Sequence, residues 1–207
     1  MIKARHNPFF VRFFQFYSRF MIYNHFKEVR LKGEFRDKGK PVLLIGNHFS
    51  WWDGFIANYL NSLVFDRTFH VMMLEDQLDK RMFLNKAGAY SIRKNSRSAI
   101  ESLSYTKDLL SDSHNLVTIY PQGEIQSLYH YPVSFQKGIV NLIQGLEDQI
   151  QVIFLAALVD YFSSRKPSLT LGLVEYHPDH SFCLEHLQKA YNKHLQKMIE
   201  NQKEDVV

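Results

Sequence analysis

The chain has a single cysteine, Cys183, which excludes an internal disulfide and suits a reducing compartment. Its 9 glycines and 6 prolines are scattered, and no Pro, Gly or Ser-rich stretch divides the middle of the 207 residues, so no linker is expected. No internal repeat or low-complexity tract is present, which argues against a solenoid or a disordered scaffold. No uncharged apolar run reaches the ~18 residues that a bilayer-spanning helix needs. A cleavable signal is not expected either, because charged residues occur throughout the N-terminal region and no small-residue cleavage pattern follows. The length suits one sizeable core.

Acidic residues are scarce at the front of the chain. Residues 1–40 hold ten Lys or Arg against three acidic residues, a local +7 within a formal net charge of +4, so the remainder carries −3. From Pro8 to Phe26 these cations alternate with Phe9, Phe10, Phe13, Phe14, Phe16, Tyr17, Phe20, Tyr23 and Phe26. At helical spacing the aromatics cover more than half the circumference, while Arg12 and Arg19, seven apart, share a polar edge. An interfacial helix on anionic lipid has this pattern, and a helix packed on the domain is the plainer reading. Residues 1–36 are therefore expected to form a membrane-interfacial helical segment, followed by one catalytic domain over 37–207. A nucleic-acid partner does not fit, because the basic segment is too rich in phenylalanine for an arm that tracks phosphates.

Residues 41–54 place polar chemistry at the end of an apolar run. Val42 to Ile45 reads as a strand buried on both faces, and Gly46 breaks it. Asn47, His48, Ser50 and Asp53 follow at once. Strand ends among helices open onto ligand crevices. A tight turn would bring Asp53 onto an imidazole nitrogen of His48, fixing the tautomer and leaving the other nitrogen as a base, and a structural histidine at a strand end is the plainer reading. Trp51 and Trp52 are large enough to wall such a site from water.

Further along, Phe55, Ile56, Tyr59, Leu60 and Leu63 recur at helical spacing. Strands are expected at Thr68–Leu74, near Ala87–Arg93, and at Asn115–Tyr120, Val152–Val159 and Leu169–Val174. Helices are expected at Glu75–Lys86, from Asn95 or Ser96 with Ile100, Leu103 and Leu110 inward, at Phe135–Leu146, and through Phe182, Leu184, Leu187, Tyr191, Leu195 and Met198. The alternation implies an α/β domain with a central, mixed or mostly parallel sheet flanked by helices. A helix N-terminus beside Arg93, Lys94 and Arg97 suits an anion, or these residues form a solvated basic surface. Pro121-Gln122-Gly123-Glu124 makes a second sharp turn at a strand end, which suggests one crevice lined from separate parts of the chain. Of the ten histidines, His177 and His180 flank Asp179 in a potential chelating turn, yet no third ligand has a persuasive spacing, so no metal is expected.

Asn47-His48-Phe49-Ser50-Trp51-Trp52-Asp53 resembles the His-x4-Asp signature of the glycerolipid acyltransferases typified by 1-acyl-glycerol-3-phosphate acyltransferase. Gly88 to Arg93 resembles that family's second block, Tyr120-Pro121-Gln122-Gly123 stands where its Phe-Pro-Glu-Gly block belongs, and Val152 to Leu158 stands for the apolar fourth block. The resemblance implies that His48, oriented by Asp53, takes the proton from a lipid hydroxyl. That hydroxyl then attacks the thioester of acyl-coenzyme A or acyl carrier protein, a co-substrate, with no cofactor. It also implies that Asn47, Ser50, Arg93, Gln122, Gly123 and Glu124 contact substrate. The enzyme is then expected on the cytoplasmic face of a membrane, peripheral or monotopic. The third block departs from the family, with Gln122 for its acid and Ile125 for its arginine. One fixed cation fewer, with Glu124 adjacent, weakens the grip on a phosphate monoester. A lyso-aminolipid, a glycolipid or another lipid alcohol is the expected acceptor, against lysophosphatidic acid in the family's typical reaction. A thioesterase and a non-catalytic lipid-binding module are the rival functions.

Overall fold

The computed structural model describes residues 1–93, 97–178 and 182–204 and, of Arg97 and Glu204, the backbone alone. Lys94, the side chain of Arg97, the expected caps Asn95 and Ser96, and Asp179 and His180 of the chelating turn lie outside the described residues. His177 lies beside Glu175, at 3.6 Å.

The elements run α1 (Pro8–His25), β1 (Glu28–Lys32), β2 (Val42–Gly46), α2 (Asp53–Leu60), β3 (Thr68–Leu74), α3 (Glu75–Asp79), β4 (Ala89–Ile92), α4 (Arg97–Leu109), β5 (Asn115–Ile119), α5 (Gly138–Ile143), β6 (Gln151–Asp160), β7 (Ser168–Glu175) and α6 (Leu184–Glu204). The strands form one seven-stranded sheet in the order β1-β7-β6-β2-β5-β3-β4. The block from β6 to β4 is parallel, β7 runs antiparallel to β6, and β1 is parallel to β7. The expected α/β architecture with a mostly parallel sheet is therefore the observed one.

Pleating sorts the apolar strand residues onto two helix layers. Leu43, Ile45, Val117 and Phe154 face Leu142 of α5 and Leu187, Tyr191 and Leu195 of α6. Val42, Leu44, Leu116 and Ile153 face Ile22 of α1 and Ile56, Ala57 and Leu60 of α2. A strand covered on both faces needs no polar alternation, which is why Val42 to Ile45 is continuously apolar.

Four elements differ from expectation. Glu28-Val29-Arg30-Leu31-Lys32, inside the expected interfacial segment, is β1, and it pairs Val29 with Leu169 at the sheet edge. The helix expected over Glu75–Lys86 divides into α3 and a short 3-10 turn at Leu84–Ala87, closed by Gly88 at φ +107°. The helix expected over Phe135–Leu146 shortens to α5 because Phe135 N–H donates to Gln188 Oε1 (2.7 Å) and Gln136 N–H to the Pro121 carbonyl (2.8 Å). Gly145, at φ +84°, turns the chain away just past its end. Ile100 of α4 is 70% exposed, not inward, whereas Leu110, just beyond the helix, is buried.

Helix α1 starts where Asn7 Oδ1 accepts the N–H groups of Phe9 and Phe10, with Pro8 in its first turn. Phe14, Ser18 and Ile22, four apart, form its buried stripe, and Ser18 Oγ accepts a hydrogen bond from Asn58 of α2 at 3.2 Å. Phe9, Phe13, Phe16, Phe20 and Tyr23 form an exposed aromatic stripe on the opposite face. Among the described residues no helix is long and apolar enough to cross a membrane.

Candidate active site

The parallel strands β2, β5, β3 and β4 deliver their C-terminal ends to one side of the sheet, where the site is built. Gly46 closes β2. A Cβ there would come within 3.0 Å of the Tyr120 ring, so the glycine admits this tyrosine from the end of β5. Tyr120 uses the space to stack on the His48 imidazole, with ring centroids 4.8 Å apart and planes 20° from parallel. Its hydroxyl donates to the Asp53 carbonyl at 2.7 Å. Burial pushes that hydroxyl's pKa up, which keeps it a neutral donor.

The next residue, Asn47, extends the β2–β6 ladder through its side chain. Its Nδ2 donates to the Ala157 carbonyl (2.8 Å), and its Oδ1 accepts the Ala157 N–H (2.8 Å). It is buried and anchors the turn rather than facing the cavity. Asp53, 3% exposed at the start of α2, closes that turn. Its Oδ2 accepts His48 Nδ1 at 2.7 Å, Phe49 N–H at 2.8 Å and Ser50 N–H at 2.9 Å. An oxygen already accepting two N–H groups assigns the proton to His48 Nδ1 and leaves Nε2 as the basic nitrogen. Burial pushes the Asp53 carboxyl above its ordinary range, against the imidazole and the two backbone N–H groups that favour its charged form. Ser50 Oγ accepts Trp52 N–H at 3.1 Å within the same turn.

Residues 121–126 close around the back of His48. Gln122, 4% exposed, accepts the His48 N–H on Oε1 at 2.6 Å. Its Nε2 donates to Gln126 Oε1 at 2.6 Å, and Gln126 N–H returns to the His48 carbonyl at 2.9 Å. Gln126 Nε2 donates to Glu124 Oε1 at 3.1 Å. Gly123 permits this loop at φ +73°, and its N–H donates to the Tyr120 carbonyl at 3.1 Å. Gln122, expected to contact substrate, bonds instead to the His48 backbone and the Gln126 side chain.

His48, Gly123, Glu124 and Ile125 open onto a cavity of about 1510 Å³. It reaches down both faces of the sheet past Phe14, Phe55, Phe69, Leu103, Ile119 and Leu142, so its walls are mostly apolar. Asn47, Ser50, Gln122 and Arg93 are not among its described lining residues. Arg93, 63% exposed at the end of β4, pairs through Nη2 with Glu75 Oε1 at 2.6 Å. The other oxygen of that buried carboxylate accepts Ser91 Oγ–H at 2.9 Å.

The site therefore unites the residues expected from 47–53 with the loop at 121–126, and it leaves Arg93 in a separate ion pair. Sequence reasoning missed Gln126 and Glu75. Nothing in local spacing marks them, because each acts through a partner from another strand end.

A base held by a buried carboxylate at the wall of an apolar cavity suits proton removal from a hydroxyl in a place sheltered from water. No curated protein matches the chain. Among solved structures, the 1-acyl-sn-glycerophosphate (LPA) acyltransferase PlsC from Thermotoga maritima has the same fold, with a TM-score of 0.62 at 14% identity over 92% of this chain and 79% of that one. A family model described as Acyltransferase matches residues 28–156, more than half of the sequence, including the turn at 47–53 and the loop at 121–126. The chain belongs to the acyltransferase family.

Proposed function

We propose that the protein moves a fatty acyl group from an acyl thioester of coenzyme A or acyl carrier protein to the hydroxyl of a membrane lipid. His48 acts as general base and Asp53 orients it. One observation carries this reading: the 2.7 Å His48 Nδ1–Asp53 Oδ2 contact at the wall of a mostly apolar cavity of about 1510 Å³.

His48 Nε2 accepts the hydroxyl proton as the oxygen bonds to the thioester carbonyl carbon. The tetrahedral oxyanion collapses, the C–S bond breaks, and the imidazolium returns its proton to the thiolate. A positioned base contributes about 10² to 10⁴ in rate. Gly123 N–H is already engaged with Tyr120, so the first turn of α2 supplies the oxyanion donor, with the N–H of Gly54 at the cavity wall. The apolar walls take the acyl chain.

The loop that borders His48 favours an acceptor without a phosphate monoester. Ile125 and Glu124 line the cavity there, Gln122 is buried, and Arg93 is tied to Glu75. A lyso-aminolipid, a glycolipid or another lipid alcohol suits these groups. The exposed stripe from Phe9 to Tyr23, edged by Arg12 and Arg19, would lay α1 on an anionic bilayer, and the enzyme would work as a peripheral or monotopic protein of the cytoplasmic face.

The test is an acyl-transfer assay on the full chain with detergent-dispersed lipid acceptors and mass-spectrometric identification of products. Wild type is expected to form a new lipid ester, and His48→Ala to lose at least about a hundredfold of that rate. Unchanged transfer by His48→Ala sinks the assignment of the base. Free fatty acid as the sole product sinks the transferase in favour of a thioesterase. Equal or better turnover with lysophosphatidic acid than with phosphate-free acceptors sinks the acceptor class.

A further inference from the structure

Three residues after His48, in the turn that holds it, Trp51 presents a 38% exposed ring at the cavity wall. The guanidinium carbon of Arg81 lies 4.3 Å from the centroid of that ring. Arg81 follows α3, and its Nη1 donates to Gln77 of that helix twice, to the carbonyl at 3.3 Å and to Oε1 at 3.0 Å. Gln77 also lines the cavity. The cation is therefore fixed from two directions, by the face of an indole belonging to the catalytic turn and by both oxygens of a cavity-wall glutamine. Two residues on, Phe83 stacks on Phe14 of α1, which lines the cavity (5.9 Å between centroids).

An arginine held this way has lost its side-chain freedom before any ligand arrives. Among the described residues it makes no ion pair, and its Nε and Nη2 donors are in no hydrogen bond. Asp76 of α3 accepts Gln77 Nε2 at 3.4 Å and is in no ion pair with Arg81. A fixed guanidinium with an open two-donor edge matches two oxygens of a phosphate.

We propose that Arg81, held by Trp51 and Gln77, is a phosphate-binding arm at the rim of the acyl cavity. The inference rests on the acyl-transfer reading. There the acyl chain lies in the apolar cavity with its thioester at His48, and whatever polar group is attached to a substrate emerges at the rim. The phosphate belongs either to the carrier of the donor or to the head group of an acceptor.

The test uses the full chain as wild type, R81A and R81K. The donor arm compares palmitoyl-coenzyme A with the palmitoyl thioester of N-acetylcysteamine, which has the same reacting bond and no phosphate. The acceptor arm compares lysophosphatidate with a monoacylglycerol. R81A is expected to raise KM about tenfold or more for the phosphate-bearing partner alone, with kcat within about twofold of wild type. R81K, which keeps the charge without the planar fork, falls between. A rise confined to palmitoyl-coenzyme A assigns the phosphate to the donor, and one confined to lysophosphatidate assigns it to the acceptor. Equal losses with and without phosphate, or an unchanged KM, overturn the arm. If wild type transfers from neither thioester, the acyl-transfer reading fails by itself. Calorimetric titration with coenzyme A and with glycerol phosphate then decides the arm: weaker binding of either by R81A supports it, and equal or no binding of both overturns it.

Discussion

Asp53 carries a carboxyl whose charged form burial penalises. Its carboxyl is pushed up by desolvation, and its Oδ1 is buried without a hydrogen-bond partner among the described residues. The native state therefore holds a proton there more tightly than the unfolded chain does, and the penalty on the charged form is full at neutral pH. Asp53→Asn removes the charge at nearly constant shape. Transfer should fall about a hundredfold or more while the thermal midpoint holds or rises, the pattern of a site that trades stability for activity. A midpoint several degrees lower would show instead that the carboxylate holds the turn together. Gln122 has the opposite signature. Gln122→Leu strands the half-buried His48 N–H and the side-chain oxygen of Gln126, so it should cost about 1–3 kcal/mol of stability and lower kcat more than it changes KM. Gln122→Glu, which still accepts from His48, should recover most of that stability in urea melts; a variant as unstable as the leucine one argues against the clamp. The contact between His48 and Asp53 was legible in the sequence because one turn of five residues joins them. The clamp was not, because His48 and Gln122 are 74 positions apart and meet only when β2 and β5 pair.

At the level of elements, legibility followed how completely each segment is buried. Val42–Gly46 and Asn115–Ile119 are covered on both faces, so their apolar runs announced them. Glu28–Lys32 alternates charged and apolar residues at a sheet edge and follows an aromatic helix, so its period-2 signal was absorbed into the preceding segment. The ends of α5 were unreadable because Gln188 and Pro121, from distant parts of the chain, take the N–H groups that would have begun it. Helix α1 carries two faces that mutation can separate. Ile22→Ala, on the buried stripe, should cost about 2–5 kcal/mol, the usual range for such a truncation. Phe13→Asp with Phe16→Asp, on the exposed stripe, should leave urea stability within about 1 kcal/mol while abolishing flotation with phosphatidylglycerol vesicles. Undiminished flotation of that double variant would place the lipid contact elsewhere.

The molecule as a whole is tied together by its N-terminal residues and by the strand they cover. Residues 2–7 run beside β4 and the turn before it: Ser91 N–H donates to the Ile2 carbonyl, Arg5 N–H to Asn85, and Asn7 N–H to Lys86. His6 donates to the Phe69 carbonyl and packs edge-on against His70 at 4.7 Å between centroids. His70 lies in β3, an interior strand between β5 and β4, with Nε2 bonded to Asn115 Oδ1 at 3.3 Å and Nδ1 buried without a hydrogen-bond partner among the described residues. Burial, with His6 beside it, pushes its pKa down from 6.5 to about 4. An unfolded chain protonates this histidine near pH 6.5, whereas the folded one resists until about pH 4, so the unfolded state binds more protons through that window. Stability is then greatest above about pH 6.5 and falls as pH drops toward 4, by about 3 kcal/mol at most. Because β3 is hydrogen-bonded on both sides, the loss should appear in global unfolding and not as fraying of an edge. Urea unfolding of wild type and His70→Gln at pH 7.0, 5.5 and 4.5, values within roughly the window set by this linkage, measures it. The variant should be less stable at pH 7 yet show a flatter decline with acid, and parallel declines would assign the acid sensitivity to other groups.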